Sequence, residues 1–347
     1  MSTNDSPMLA ALRREPHERR PVWFMRQAGR YLPGYMKVRS KTDFLTLCKT
    51  PDLAAEVTVE PLDKFGVDAV IIFSDILVPL EAMGLEVVFG DRGPSMEKPL
   101  ASRADIDNLS IPDPVAETGF VMDVIREVKN RVAGRVPVIG FAGAPWTLAC
   151  YALEGSPSRT FATAKRMVYE APADLHVLME KIADTTTAYL QAQVDAGAQV
   201  LQLFDSWGGM LAHGAFHELS LKYCHRILDG LKDCGVPRIL FIKGAGLHLE
   251  SIKEVVEATG TEAVAIDDST PPARAIEVLG DTCAIQGNLP PEALFAPVED
   301  LQARTTEILE SFRGHPGHVF NLGHGITPPT PIPHVQAVVD AVKAWRC

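Results

Sequence analysis

No apolar run in this 347-residue chain approaches the ~18 residues a membrane-spanning helix needs, so no membrane partner is expected. The six cysteines (48, 150, 224, 234, 283 and 347) lie far apart without a C-x-x-C pair. That excludes a zinc ribbon or a disulfide framework and reads as reduced thiols in a cytoplasmic protein. The first residues, MSTNDSPMLAAL, have neither a basic n-region nor a long apolar stretch, so no secretory signal is expected. Nucleotide signatures are missing too. Lys243-Gly244-Ala245-Gly246 lacks the third glycine of a dinucleotide loop, and there is no Walker loop. Ser206 is not in G-x-S-x-G, which argues against a hydrolase nucleophile.

Positive charge is also scarce: 33 basic side chains face 44 acidic ones, for a net charge of −11. The deficit is uneven. Between Arg13 and Lys41 nine basic residues meet only Glu15 and Glu18, so this segment carries +7 and the remainder −18. An acidic body is a poor nucleic-acid binder, because phosphate contacts need lysine and arginine over a broad surface. One confined basic segment instead suits a site for an anion.

Short apolar runs alternate with helical stretches. Strands are expected at Val22–Met25, Asp68–Phe73, Val136–Phe141, Gln199–Phe204, Arg238–Ile242, Glu262–Ile266, Cys283–Gln286 and Val319–Leu322. Most are continuously apolar, as parallel strands covered on both faces should be. Thr50-Pro51, running to Gly66, and Thr270-Pro271, running to Gly280, carry helix start and stop signals. Glu250–Ala258 stops at Gly260, and Pro333–Trp345 forms the last helix. Eight strand–helix repeats predict an α/β fold, a single (β/α)8 TIM barrel over residues 1–347, with a doubly wound sheet as the alternative. Residues 1 to about 12 read as a mobile arm, and the proline-punctuated stretch 94–114 as an excursion from the barrel.

The active site of such a barrel forms at the C-terminal ends of its strands. The residues there include Arg26 to Arg30, Ser74-Asp75, Phe141 to Thr147, Asp205-Ser206-Trp207, Lys243-Gly244, Asp267-Asp268 and Asn321 to Gly325. Arg26 and Arg30 are four apart, so one helical turn would align them, and Arg39 follows. Guanidinium forks match carboxylates, which suits a ligand with several of them; the competing reading is a solvated basic face. Asp75, at the end of an apolar strand, is either a buried structural group or faces the barrel mouth. His324, between glycines, is a backbone-bonded turn residue or a proton-transfer group. Tyr151 fits packing or proton donation. His213 and His217 have i,i+4 spacing beside Glu218, but with no H-E-x-x-H and no third ligand nearby they read as a solvated helix face, and no metal site is expected.

The strings themselves are more specific. Pro21-Val22-Trp23-Phe24-Met25-Arg26-Gln27-Ala28-Gly29-Arg30-Tyr31-Leu32-Pro33 resembles the N-terminal signature of the uroporphyrinogen decarboxylase family. Ile72-Phe73-Ser74-Asp75-Ile76-Leu77, Gly140 to Thr147 and Asn321-Leu322-Gly323-His324-Gly325 resemble its later motifs, in the same order. The resemblance implies a haem-pathway enzyme, cytoplasmic and homodimeric, with no metal or organic cofactor. It would take carbon dioxide from the four acetate arms of uroporphyrinogen III to give coproporphyrinogen III. It further implies carboxylate binding by Arg26, Arg30 and Arg39, and pyrrole N–H binding by Asp75. Substrate contacts fall on Tyr151, Ser206 and His324, and the cavity lining on Phe141 and Phe204. The catalytic positions would be Asp75, Arg26, Tyr151 and His324. Two departures stand out: Ile266-Asp267-Asp268-Ser269 replaces the family's frequent aspartate–tryptophan pair, and residues 326–331 are rich in proline.

Decarboxylation leaves an electron pair that needs a sink. A pyrrole protonated at ring carbon becomes iminium-like and supplies one itself, so a cofactor is dispensable. Asp75 would stabilise the developing positive charge. Two alternatives remain open at this level. One is a corrinoid-linked methyltransferase, a zinc enzyme of the same superfamily with a His-x-Cys motif that this chain lacks. The other is a tetrapyrrole carrier without catalysis, which would have no need of Asp75.

Overall fold

The computed structural model describes residues 6–90 and 93–346. Its strands are β1 (Val70–Ile71), β2 (Val87–Gly90), β3 (Gly93–Met96), β4 (Val138–Gly143), β5 (Val200–Asp205), β6 (Arg238–Ile242), β7 (Ala263–Ala265), β8 (Ala284–Gln286) and β9 (His318–Val319). Seven of them form a curled parallel sheet in the order β1-β4-β5-β6-β7-β8-β9. Every residue of β4 and β5 is buried, which explains their largely apolar sequences, broken in β5 only by buried Gln202 and the terminal Asp205: helices cover one face of the sheet and core side chains the other.

At the sheet's two edges lies the segment expected to be the first strand. Val22 forms a single parallel bridge with Phe320, and the Asp68 N–H donates to the Val22 carbonyl at 2.8 Å. The expected strand Val22–Met25 goes no further, because side chains claim its next donors. The Phe24 N–H goes to Gln27 Oε1 and the Met25 N–H to Asn321 Oδ1. The other strands fall where expected, none more than three residues off at either end.

Helix punctuation acts as the residues dictate. Helix Pro51–Phe65 opens on proline and ends at Gly66 in the left-handed region, φ 69°. Helix Leu249–Thr259 ends in the same way at Gly260, φ 65°. The 94–114 excursion is only partly loop. β3 pairs antiparallel with β2 outside the main sheet, and Ser102 and Asp105 form a capping box on helix Arg103–Asp107. Lys181 Nζ ties this excursion down through the carbonyls of Ile106, Asp107 and Leu109.

The expected mobile arm is not one over the described residues. Pro7–Leu12 is a helix with Met8, Leu9, Ala11 and Leu12 buried, because its apolar face covers the bottom of the sheet; residues 1–5 lie outside the described residues. Just beyond it the basic segment divides. Arg14 donates to the carbonyls of Asp281 and Gly280, Arg19 grips Asp68 with both terminal nitrogens, and buried Arg20 bonds the Phe312 carbonyl. All three bind chain that precedes strands, at the end of the sheet opposite the mouth.

Candidate active site

The turn after Trp23 is the part of the mouth with the densest set of restraints. Gln27 accepts from the Phe24 N–H and donates to the Ala69 carbonyl, and the Tyr31 hydroxyl closes on the Gln27 carbonyl. Asn321 Oδ1 accepts from the N–H groups of both Met25 and Leu322, and the Ile326 N–H reaches the Met25 carbonyl at 2.9 Å. Arg26 is thereby held at φ 59°, a conformation that costs a non-glycine residue energy unless its surroundings enforce it. Gly325 makes room for its side chain: a Cβ there would collide with Arg26 Cδ. The expected helical alignment of Arg26 with Arg30 is not realised, since both lie in turns before helix Pro33–Arg39.

Arg26 faces the three other groups expected to be catalytic. Asp75 sits half-buried past β1, and its Oδ1 accepts from the Leu77 N–H at 2.8 Å. Loss of hydration pushes its carboxyl up to about 6, against the opposing effects of the Leu77 N–H and the Arg26 charge. His324 Nδ1 accepts from the Gly325 N–H, which leaves Nε2 as the protonated nitrogen of the neutral ring. Burial above all, then Arg26 and Lys243, pulls His324 down to about 4, with Asp267 opposing. The Tyr151 hydroxyl is raised by burial and by Asp75. The neighbouring Trp207 and Arg26 oppose the shift, although the indole N–H of Trp207 makes no hydrogen bond of standard geometry. At neutral pH the centre therefore holds a cationic Arg26, a largely ionised Asp75, a neutral imidazole and a neutral phenol.

An aromatic wall runs beside these groups. Phe141 meets Phe204 edge-on at 5.8 Å, Phe204 meets Phe241 at 5.9 Å, and Phe241 meets His324 at 6.2 Å. Adjacent strands β4, β5 and β6 each supply one ring. Ser206 follows β5 half-buried, between the buried Asp205 and Trp207.

Arg30 and Arg39 stand apart from this centre. Both act on the hydroxyl of Tyr35, and Arg39 ends its helix by donating to the Thr42 carbonyl at 2.5 Å. Among the described residues, neither Arg26 nor Arg30 makes an ion pair or hydrogen bond through its side chain, so both guanidinium groups are available to a ligand.

Several residues that the sequence puts at the mouth have roles there that the sequence does not show. Asp205 accepts from Thr147 Oγ1 at 2.5 Å and Ser220 Oγ at 2.6 Å, locking the loops after β4 and β5 together. Asp267, first of the departing aspartate pair, is buried and accepts from the Gly244 N–H, Ser269 and Thr270, while exposed Asp268 packs on Gly323. The proline-rich run is a turn, closed by the Thr330 N–H on the Thr327 carbonyl, that starts helix Ile332–Ala344. The expectation that His213 and His217 have no third ligand nearby is overturned, because the fold brings His248 beside them. His248 is 31 residues from His217 in sequence, so only tertiary structure joins them.

Arg26 beside Asp75, with an aromatic wall next to them at the C-terminal ends of parallel strands, defines an α/β protein with the makings of a ligand site at its mouth. A model of the uroporphyrinogen decarboxylase (URO-D) family matches residues 3–345, and the chain belongs to that family. It is 49% identical over 335 residues to the uroporphyrinogen decarboxylase of Myxococcus xanthus, covering 96% of this chain and 95% of the relative. To that of Azoarcus sp. it is 48% identical over 345 residues, covering 98% and 95%. Among solved structures, a methyltransferase from Methanosarcina mazei superposes with a TM-score of 0.81 at 22% identity over 99% of both chains. A putative vitamin-B12-independent methionine synthase from Listeria monocytogenes does so at 0.56 and 13% identity, over 97% and 98%. These two likenesses are of fold.

Proposed function

We propose that the chain removes carbon dioxide from the four acetate arms of uroporphyrinogen III, yielding coproporphyrinogen III. The observation that carries this reading is Arg26, forced into a left-handed turn where its charge faces Asp75, Tyr151 and His324 together. For each arm, a proton adds to the α ring carbon next to the one bearing the acetate, and the ring becomes a conjugated cationic iminium whose electron-deficient end is the acetate-bearing carbon. The carbon–carboxylate bond then breaks, its electron pair forms an exocyclic methylene, and carbon dioxide departs. A second proton converts the methylene to methyl as the ring proton leaves, so each arm consumes one proton and releases one carbon dioxide.

Asp75 accepts the pyrrole N–H groups and stabilises the cationic ring. Arg26 fixes the carboxylate arm beside it, while Arg30 and Arg39, further out, take other arms. The aromatic wall of Phe141 and Phe204 supports the macrocycle, with Ser206 beside it. His324 is neutral and contributes a hydrogen bond from Nε2 instead of an imidazolium proton, and Tyr151 is a weak acid. That leaves proton delivery to water oriented by Arg26, since a guanidinium holds its proton too tightly to be a good acid itself.

The reading includes a single (β/α)8 barrel, with the Val22 segment taking the eighth position, cytoplasmic and working as a homodimer without cofactor. A corrinoid-linked methyltransferase would need a His-x-Cys motif, and none occurs in the chain. Chromatography of uroporphyrinogen III incubated with purified, metal-free protein tests the proposal: coproporphyrinogen III should accumulate through partly decarboxylated intermediates. Recovery of unchanged substrate would refute it and leave a carrier or transferase as the reading.

A further inference from the structure

A second constellation lies outside the decarboxylation centre. After β5 the chain enters a helical stretch, 213–230, interrupted by a π turn at Phe216–Leu221. His213 and His217 project from its start. After β6, the short 3-10 turn Gly246–His248 brings in His248. One ligand atom from each of the three histidines lies within 4.8 Å of the other two. The ring centres form a near-regular triangle, 5.0 Å between His213 and His217, 5.3 Å between His213 and His248, and 5.9 Å between His217 and His248. An ion bound ~2.0–2.1 Å from three tetrahedrally arranged imidazole nitrogens sets ring centres about 5.2 Å apart. The triangle therefore has about the size a three-imidazole metal site requires, and side-chain rotation would bring the nitrogens in to close on an ion.

Two further observations point the same way. His248 Nδ1 is buried and has no hydrogen-bond partner, an unmet demand that an ion or its second-shell water would satisfy. Its ring is held in place by stacking on buried Phe216, with centres 3.9 Å apart and planes 15° from parallel. Glu218, by contrast, is engaged by His176 Nε2 at 2.8 Å and is not part of the group.

We infer that His213, His217 and His248 form a three-imidazole site for a divalent transition ion of the zinc class, distinct from the decarboxylation centre. Such ions favour imidazole nitrogen, and three protein ligands leave the fourth position to water. His213 is exposed, so the site is open to solvent and can load after folding. Its ligands come from the loops after β5 and β6, which already touch through the Gly209 N–H and the Lys243 carbonyl at 3.0 Å. A bound ion would staple those loops together.

The test uses full-length protein without a histidine tag, stripped of metal and titrated with zinc chloride in a calorimeter. Cobalt(II) absorption reports the coordination geometry in parallel. One ion per chain is expected, with visible bands of a four-coordinate cobalt site and a Tm about 3 °C higher at a hundredfold excess over Kd. His217→Ala and His248→Ala should each weaken binding at least about 100-fold, with metal-free Tm and decarboxylase turnover close to those of the parent. Should His248→Ala fail to fold, His248→Gln retains packing on Phe216 and should show the same loss. Absence of binding, or equal affinity in parent and variants, would overturn the assignment.

Discussion

Asp75 shows how the site trades stability for chemistry. Its carboxyl, raised to about 6, stands above the ~3.9 of an unfolded aspartate. Between about pH 4 and 6 the folded state therefore holds a proton that the unfolded chain gives up, and this group's contribution to stability is lost as pH rises through that window. Asp75→Asn keeps an acceptor for the Leu77 N–H and removes the cost of a poorly hydrated charge. Turnover should fall about 100- to 1000-fold, while Tm at pH 7.5 rises by about 1–3 °C and its pH dependence between 4 and 6 flattens. Near-normal turnover would remove Asp75 from the mechanism. A second substitution tests the Arg26 turn: the Cβ of Gly325→Ala would collide with Arg26 Cδ. We expect kcat/KM to drop about 10- to 100-fold with Tm little changed, read by steady-state assay and thermal melt. The importance of Arg26 is legible in its sequence motif. Its left-handed backbone is not, because Gln27 and Asn321 impose it from 294 positions apart in the chain.

The elements that carry the site are tied to one another by buried polar bonds as much as by the sheet. Asp205 at the end of β5 joins the Thr147 hydroxyl in helix Pro145–Glu154 to the Ser220 hydroxyl in the π turn. Asp205→Ala leaves two buried hydroxyls without their acceptor, and we expect a loss of about 2–4 kcal/mol, measured as a lower urea midpoint with unchanged slope. Element identity was readable from local signals: an unbroken apolar run for β4, a nearly unbroken one for β5, and glycine stops at Gly66 and Gly260. The first expected strand failed for a reason no local signal carries, since the Met25 N–H that should extend the ladder is taken by Asn321.

Over the whole molecule the charge asymmetry resolves into two jobs. Arg14, Arg19 and Arg20 are spent on carbonyls and on Asp68 beneath the sheet, where they hold the N-terminal segment in place. Arg26 and Arg30 keep their charge at the mouth, set against a remainder of −18 that repels polyanions elsewhere. A substrate with eight carboxylates should be steered to that mouth. Raising potassium chloride from about 20 to 300 mM should lower kcat/KM about tenfold while kcat stays nearly constant, because screening weakens capture but not the bound complex. A salt-independent kcat/KM would show that the cationic mouth does not guide the substrate.

Strand–helix alternation, the order of the family motifs and the types of residue at the mouth are all local properties, carried by hydrophobic period, turn chemistry and short strings, and are written in the chain. Which charges pair and which stay free is a matter of distance in space. So are the depression of His324 and elevation of Asp75 by burial, the helix that replaces an expected arm, and the arrival of His248 beside His213 and His217. Hydration and Coulomb energies depend on what surrounds a group, and only the folded chain supplies those surroundings.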